Sequence, residues 1–409
     1  MTDILTKDEL SIVRIIFMHD EATRSDIASR IGTSLIKVSS LLDDLEEKGI
    51  IYKEEKKTKR GRPSYLFKIV RNRFYSIGIA FDIENFKLAL TDTTKEILYT
   101  EEIPFIQPSS DHDHVKAVIE AFVEIIQKGK TLPCVQGLTP ISVGVSLPGM
   151  VDTEKGVWIL GLQIGGVENV PLSRLLEERT GIEVFIEDSA RTYAYYEKII
   201  GPGKGLKNFV LLYLDRGIGT GIIINHELYY GSGGISGEIG HVVHQNNTYR
   251  CTCGSIGCLE TVTSSSGIIR VFMDRLNEGV ISQLKEQVRD KGELTLEDIR
   301  NAAERGDRLA ITTLFEIGQF LGDACTLLIK LFNPQAIIID GHCAILKDFF
   351  HGAINQQIRH QVIPEMIKHF EIIYPQYSPY TEANGASLLA VERVLKGAAE
   401  SKHPAVRKR

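Results

Sequence analysis

The run GEIGH at residues 237–241 is followed, ten residues after its histidine, by the run CTCGSIGCLE at residues 251–260. Three cysteines therefore fall within eight residues of a glycine-rich segment, and one imidazole lies close by in the chain. Three thiolates and an imidazole are ligands that tetrahedral Zn²⁺ prefers, and the glycines let so short a loop wrap an ion. The predicted metal ligands are His241, Cys251, Cys253 and Cys258.

Four protein ligands leave no open coordination position, so the predicted zinc ion holds the loop in place rather than activating water. A reduced, cysteine-rich turn without metal is the alternative interpretation. A zinc hydrolase or deaminase is a third, but it requires an open metal position beside a carboxylate, for which Glu238 is the candidate.

The composition indicates a cytoplasmic protein of two or three domains. The chain has 409 residues, and single hydrophobic cores rarely grow beyond about 250 to 300 residues. No apolar run approaches the roughly 20 residues that span a bilayer, and the first ten residues lack the pattern of a signal peptide. Disulfides are not expected in this compartment. The three remaining cysteines, which lie among apolar residues, are predicted to be buried: Cys134, Cys325 and Cys343.

The first 72 residues have the pattern of a winged helix-turn-helix. Apolar spacing predicts a helix over residues 7–19 and a second helix after Thr23. The TRSD run that begins at Thr23 resembles a capping box, and Gly32 is predicted to end the second helix. A third helix begins near Ser34, and two β-prone runs flank the basic segment KKTKRGRP at 56–63. The third helix is predicted to bury Leu35, Val38, Leu42 and Leu45.

Charge and exposed polar groups indicate that this domain binds duplex DNA. Residues 1–73 hold 15 Lys+Arg and 12 Asp+Glu, whereas the rest of the chain carries a net charge of −9. A helix end fits the major groove, and a basic hairpin tip reaches phosphates or the minor groove. The predicted contacts are Thr33, Ser34, Lys37 and Ser40 on the helix and Arg60 and Arg62 on the wing. A domain that serves protein contacts alone is the alternative.

From Phe74 onward, strands alternate with helices, which predicts two α/β lobes flanking a cleft. The small lobe is predicted to cover residues 73–190 and the large lobe 191–382. A last helix at 383–396 is predicted to return to the small lobe, followed by a polar tail at 397–409.

Residues 74–396 resemble the ROK family, which unites bacterial sugar kinases with sugar-responsive repressors on a two-lobed, actin-like ATPase fold. The strongest match is the GEIGH and CxCGxxGCxE pair of motifs quoted above. The N-terminal domain resembles the branch of xylose and N-acetylglucosamine repressors. Supporting matches are LPGMVD at 147–152, NVPL at 169–172, GIGTG at 217–221, NPQAIII at 333–339 and, in the wing, GRP at 61–63.

The resemblance implies an effector site for a sugar or sugar derivative. Glu238, His241 and Glu260 match family residues that bind sugar hydroxyls, and Gln163 and Asp188 occupy the places of two others. One ring nitrogen of His241 can contact the sugar while the other binds zinc. Solvated loop carboxylates are the alternative interpretation of Glu238 and Glu260.

Departures from the family pattern predict that kinase activity has been lost. Family kinases have DIGGTK where this chain has DIENFK at 82–87, and the run DGH at 340–342 replaces a glycine triplet. Ser189 takes the place of the catalytic aspartate, and an unassisted hydroxyl cannot accept the proton that a carboxylate accepts. No ATP is expected as a cofactor. An active ATP-dependent sugar kinase with a fused DNA-binding domain is the alternative.

The sequence therefore predicts a DNA-binding transcriptional repressor with a structural zinc ion and a sugar-type effector. Its partners are expected to be double-stranded operator DNA and further copies of the chain, in a homodimer or tetramer, because paired recognition helices match palindromic half-sites.

Overall fold

The computed structural model describes residues 4–56, 64–108, 111–161, 164, 166–291 and 293–400. Within these residues the chain forms two compact units. The first unit contains the chain through Asp188 together with the segment from Pro379 onward, and the second contains Ser189–Ser378. The finer division into three domains stays a prediction.

A winged helix-turn-helix opens the first unit. The Thr23 hydroxyl accepts from the Asp26 amide, and the Asp26 carboxylate accepts from the Thr23 amide, which is the predicted capping box. Gly32 ends the second helix in the left-handed conformation, with φ 72°. The three strands pair in the order β1-β3-β2. The elements are α1 (Lys7–His19), β1 (Ala22–Thr23), α2 (Arg24–Ile31), α3 (Leu35–Glu47), β2 (Ile51–Lys56) and β3 (Ser64–Ile69).

The core of this domain lies between its three helices. The predicted apolar stripe of α1 is buried, as are Val38, Leu42 and Leu45 of α3. The prediction that Leu35 is buried was wrong, because 54% of this residue is exposed. Leu35 is the first residue of α3, one turn before Val38, and the helix enters the core only from Val38 onward.

The rest of the first unit is α/β. The main sheet has the order β11-β7-β4-β5-β6, in which β7 is parallel to both neighbours and the other two pairs are antiparallel. A small second sheet has the order β10-β9-β8. The elements are β4 (Phe74–Phe81), β5 (Asn85–Asp92), β6 (Ile97–Pro104), α4 (Asp111–Thr131), β7 (Thr139–Leu147), β8 (Met150–Asp152), β9 (Val157–Leu160), β10 (Glu168–Val170), α5 (Leu172–Thr180) and β11 (Val184–Asp188).

The second unit is built on a five-stranded sheet of order β14-β13-β12-β15-β16, with β12, β15 and β16 parallel. Helices cover most of residues 260–332, between β14 and β15. The elements are α6 (Ser189–Ile199), β12 (Phe209–Leu214), β13 (Ile218–Ile224), β14 (Glu227–Leu228), α7 (Glu260–Thr263), α8 (Ser265–Asn277), α9 (Lys285–Lys291), α10 (Leu296–Glu304), α11 (Arg308–Phe332), β15 (Ala336–Asp340), α12 (Lys347–Gln361) and β16 (Glu371–Ile373).

The last helix, α13 (Thr381–Glu400), lies directly on the main sheet of the first unit. A Cβ atom at Gly78 on β4 would lie 1.9 Å from the Ala383 carbonyl oxygen, and one at Gly144 on β7 would lie 1.9 Å from that of Ala386. Only glycine on both strands allows so close an approach. The helix begins two residues before the predicted range and ends four residues after it, inside the predicted tail, while residues 401–409 lie outside the described part.

The three cysteines outside residues 251–258 differ in exposure. Cys325 and Cys343 are buried, as predicted, whereas Cys134 is exposed and the prediction for it was wrong. Cys134 lies in a short 3-10 turn at Pro133–Val135, where the neighbouring Val135 takes the core position. Among the helices of the described residues, none combines the length and the apolar composition needed to cross a membrane.

Candidate functional site

The histidine and three cysteines of the predicted zinc site converge. One ligand atom from each of His241, Cys251, Cys253 and Cys258 lies within 4.8 Å of all the others. The Cys253 and Cys258 sulfurs are 3.6 Å apart, and the Cys251 sulfur lies 3.6 Å from Nδ1 of His241. Ligands about 2.0–2.3 Å from a tetrahedral ion lie about 3.5–3.8 Å from one another. The four side chains are therefore placed to hold one metal ion.

Local hydrogen bonds shape the loop that carries these ligands. The amide of Gly254, which has φ 94°, donates to the Cys251 carbonyl at 3.0 Å and closes a tight turn that carries Cys253. Buried Asn247 donates to the Cys258 carbonyl at 2.8 Å and fixes the other end of the loop. The sequence analysis missed Asn247 because an asparagine in a polar loop has no distinguishing pattern.

The thiols of the cysteine loop differ in acidity. Hydrogen bonding from Ser255 lowers the pKa of Cys253 to about 7, whereas burial raises the pKa of Cys258 to about 12. Without a cation, a second thiolate at Cys258 would stand buried beside the first. A dication favours ionisation of all the thiols because it binds each sulfur as a thiolate.

The GEIGH segment places Glu238 beside this cluster. Gly237 has φ 104°, and a Cβ atom there would lie 2.3 Å from the Thr220 carbonyl oxygen, so only glycine lets the segment pack this closely on β13. Nδ1 of His241 faces Cys251, while its Nε2 lies 3.9 Å from a Glu238 carboxylate oxygen. The His241 ring thus contacts the cysteine cluster through one nitrogen and faces the Glu238 carboxylate with the other.

Glu260 follows the last cysteine of the loop by two residues and begins α7. Its carboxylate accepts from the Ile218 amide at 3.2 Å. Desolvation raises the pKa of Glu238, the Arg191 guanidinium lowers it, and the Glu260 carboxylate raises it again, with a net upward shift. The two carboxylates therefore share one electrostatic environment, and the cysteine loop sets the position of one of them.

Arg191 is a member of this site that the sequence analysis did not single out. It is buried on α6, and its guanidinium lies 5.1 Å from the centre of the Tyr230 ring. An arginine held over an aromatic ring offers several donors to a polyhydroxyl or anionic ligand. Its place in the run EDSAR at 187–191, two residues after Ser189, was the signal that could have identified it.

The other predicted effector and wing residues lie either in the first unit or outside the described residues. Asp188 ends β11 in the first unit, where its amide donates to the Glu187 carboxylate at 3.2 Å. Gln163, Arg60 and Arg62 lie outside the described residues.

The turn between β4 and β5 lies where the family resemblance predicts the glycine run of the kinases. The Asp82 carboxylate accepts from the amides of Glu84 at 3.2 Å and Asn85 at 2.8 Å. Lys87 lies 2.9 Å from the other oxygen of Asp82. Phosphate-binding loops present free amides to their ligand, and here two amides are already bound to a carboxylate of the same turn.

Ser189 and Asp340 are two further positions at which the sequence departs from the pattern of the family kinases. Ser189 is the first residue of α6. Asp340 ends β15 and is 2% exposed, and burial raises its pKa to about 6. The run DGH at 340–342 thus begins with a buried carboxyl group.

The predicted DNA contacts share the amino end of α3. The exposed Ser34 caps the helix, and its hydroxyl accepts from the Lys37 amide at 3.3 Å. Nζ of Lys37 lies 2.6 Å from the Asp8 carboxylate, with about half of each side chain exposed. Ser40 is exposed and Thr33 is half-buried. Lys37 is therefore paired with an acid on α1 that the sequence analysis did not anticipate.

Comparison with known proteins identifies the family. The model of the ROK family matches residues 76–393, and the model of the MarR family matches residues 5–60. The chain belongs to the ROK family. The DNA-binding transcriptional repressor Mlc of Escherichia coli is 27% identical over 93% of this chain and 91% of its own length. The dual regulator NagC of Escherichia coli is 27% identical over 95% of this chain and 93% of its own length. The xylose repressor of Bacillus spizizenii is 25% identical over 94% of this chain and 94% of its own length.

Solved structures agree with this family assignment. A ROK family transcriptional regulator that is a homologue of the Escherichia coli Mlc protein superposes with a TM-score of 0.81, at 26% identity, over 96% of this chain and 97% of its own. A ROK glucokinase from Streptomyces griseus, bound to glucose and AMPPNP, superposes with a TM-score of 0.65 at 24% identity, over 77% of this chain and 99% of its own. The second match supports the kinase-like fold of the ROK domain alone.

Proposed function

We propose that the protein is a sugar-responsive, DNA-binding transcriptional repressor that carries a structural Zn²⁺ ion and no kinase activity. The observation that carries the proposal is a winged helix-turn-helix joined, in one chain, to a ROK domain. The relatives that match most of this chain are named as repressors or transcriptional regulators.

Duplex operator DNA is the proposed partner. Ser34, Lys37 and Ser40 are exposed at the amino end of α3 and are the proposed contacts to base edges in the major groove, where Lys37 exchanges its pair with Asp8 for DNA. Arg60 and Arg62 supply guanidinium groups for phosphates or the minor groove. A homodimer, or a tetramer of two such dimers, matches two half-sites about one helical turn apart.

His241, Cys251, Cys253 and Cys258 are the proposed zinc ligands. When bound, Zn²⁺ supplies four bonds that fix the loop. Nε2 of His241 then remains available to an effector hydroxyl beside Glu238, and the fixed loop presents Glu260. Gln163 and Asp188 are the other proposed effector contacts. Carboxylates and an imidazole suit a polyhydroxyl ligand because each accepts hydrogen bonds from hydroxyl groups.

Loss of phosphoryl transfer is supported by three positions. Ser189 has no carboxylate to accept a proton from a sugar hydroxyl. The Asp82 carboxylate already binds two amides of the turn that replaces the phosphate-binding glycines. Asp340 places a buried carboxyl group where the kinases have a glycine triplet, and a carboxylate repels phosphate.

The effector regulates by binding two conformations of the repressor with different affinities. An effector that prefers the conformation with weak operator affinity lowers DNA occupancy, and by linkage DNA lowers effector affinity by the same factor. A tenfold change in operator affinity corresponds to about 1.4 kcal/mol of coupling.

Gel-shift titration of the zinc-loaded protein on duplex DNA selected by it from a random-sequence library, with a panel of free and phosphorylated sugars, tests the proposal. We expect one sugar class to weaken binding at least tenfold, and Glu260→Gln to abolish this response while leaving DNA affinity without sugar unchanged. Failure to bind any duplex contradicts the regulator assignment, and binding that no sugar alters contradicts effector control.

A coupled assay of ATP turnover with the same sugars tests the loss of catalysis. We expect no turnover above a protein-free blank. Phosphorylation of any hexose that disappears in a Ser189→Ala variant contradicts the proposed loss of activity.

A further inference from the structure

The amino end of α3 exposes two large apolar side chains. Ile36 is 84% exposed and its neighbour Leu35 is 54% exposed. The core-facing stripe of the same helix begins at Val38, which is fully buried. Single exposed apolar residues are common on protein surfaces, so exposure alone identifies no site. Ile36 indicates a binding site because of its position on α3 and the polar groups beside it.

Ile36 shares its face of the helix with polar groups that suit DNA. Residues four apart are neighbours on a helix surface, which places the exposed Ser40 beside Ile36. Lys37, exposed and adjacent, carries the positive charge of this end. The next turn exposes Asp43 and Asp44, whose carboxylates repel phosphates. Contact with DNA is therefore confined to the first two turns of α3, where Ile36 is the most exposed apolar group.

We propose that Ile36 recognises thymine in the operator by contact of its side chain with the C5-methyl group in the major groove. This inference rests on the proposed function, since it requires that α3 enters the major groove. It adds a chemical determinant of sequence preference that the polar contacts do not supply.

Thymine is the base that fits because its methyl group is the one apolar feature on the major-groove edges of the four bases. Isoleucine has no hydrogen-bonding group, so beside any other base edge it would bury donors or acceptors without a partner. Ile36 is also β-branched and loses little rotational freedom on contact. Each methyl group buried in such a contact contributes about fourfold in affinity.

Replacement of thymine by uracil tests the contact directly, because it removes the methyl group and leaves every hydrogen-bonding group of the base pair in place. The DNA is a duplex isolated from a random-sequence library by binding to the full-length, zinc-loaded wild-type protein. Uracil is then placed at one thymine position at a time. Affinities are measured for the wild type, for Ile36→Ala and for Ile281→Ala, a matched control that truncates an 88% exposed isoleucine in the second unit.

We expect at least one thymine in each half-site at which uracil weakens wild-type binding about threefold to fourfold. The Ile36→Ala variant is expected to bind the thymine and uracil duplexes equally at that position, while Ile281→Ala behaves as the wild type. Alanine favours helix formation, so loss of the fold does not account for this pattern.

Two results overturn the inference while leaving the proposed function intact. One is that uracil has no effect at any position or the same effect in Ile36→Ala. The other is that Ile36→Ala changes the oligomeric state on a sizing column without changing the response to uracil, which assigns Ile36 to a protein contact. Absence of any selected duplex, by contrast, overturns the proposed function itself.

Discussion

The Arg14 guanidinium on α1 donates two hydrogen bonds to one carboxylate oxygen of Glu392 on α13, at 2.6 and 3.2 Å. The side chain of Glu392 is 10% exposed and that of Arg14 is 28% exposed. The next residue of α13, Arg393, lies 3.9 Å from the buried Glu187, one residue before the predicted effector contact Asp188. Helix α13 thus connects the DNA-binding domain with the strand that ends at Asp188.

Removal of this ion pair is expected to loosen α1. Arg14→Ala removes two hydrogen bonds from a largely buried carboxylate, which lowers the free energy of unfolding by about 1–3 kcal/mol. Thermal unfolding and amide exchange of α1 measure the effect. The control Arg300→Ala removes an exposed pair with Glu304 and is expected to cost under about 0.5 kcal/mol. Equal losses in the two variants, or no recovery in the exchanged pair R14E/E392R, contradict the assignment.

Loss of one zinc ligand is expected to release the metal. Cys251→Ser removes one of four donors, so the purified variant should retain less than about one-tenth of the zinc of the wild type and melt on the order of 5 °C lower. Metal analysis and calorimetry measure both quantities. Cys134→Ser, which changes an exposed cysteine outside the loop, should alter neither. A full complement of zinc in Cys251→Ser would show that the ion is bound elsewhere.

Removal of Asp8 is expected to strengthen DNA binding. Asp8→Asn frees Lys37 for phosphate contact, which should tighten non-specific duplex binding several-fold and increase the salt slope by about 0.9. Protein stability should change by less than about 1 kcal/mol, since the pair is exposed. Salt-dependent binding to a random duplex measures the effect. In a Lys37→Ala background, Asp8→Asn should have little effect on DNA affinity. If DNA affinity still rises in that background, the effect comes from the change in net charge alone.

Glu197 is expected to make stability fall as pH rises. Burial raises its pKa to about 8, and Oε2 of this 1% exposed residue has no hydrogen-bond partner among the described residues. The folded state therefore holds a proton that the unfolded state releases above about pH 4.5. The stabilisation is complete below pH 4.5 and is lost progressively up to about pH 8, by on the order of 5 kcal/mol.

Urea unfolding between pH 5 and 8.5 measures this loss. Glu197→Gln, which remains neutral at every pH, should flatten the profile and be more stable than the wild type at pH 8.5. Glu278→Gln, at an exposed position, should reproduce the wild-type profile. A Glu197→Gln profile that parallels the wild type places the titrating group elsewhere.

Local patterns in the sequence predicted the local structure well. The capping box of Thr23 and Asp26, the stop at Gly32 and the convergence of four metal ligands depend on residues close together in the chain, and the structure confirms each. The wrong predictions for Leu35 and Cys134 concern apolar residues at the ends of elements, where spacing does not fix which side faces the core.

Relationships between distant residues could not be predicted from such patterns. Arg14 and Glu392 are 378 positions apart, and Lys37 meets Asp8 only because α1 and α3 pack together. The placement of Arg191 near Glu238 depends on how α6 packs beside the segment that follows β14. These contacts follow from tertiary packing, which hydrophobic periodicity does not specify.

The two glycines beneath α13 have a consequence for biosynthesis. The strands that carry Gly78 and Gly144 are made early, but the helix that covers them is translated after Thr381. During synthesis, the winged helix-turn-helix emerges from the ribosome long before the support for its first helix exists. Premature termination before that point leaves a DNA-binding domain attached to an uncovered sheet, so a folded regulator requires translation through α13.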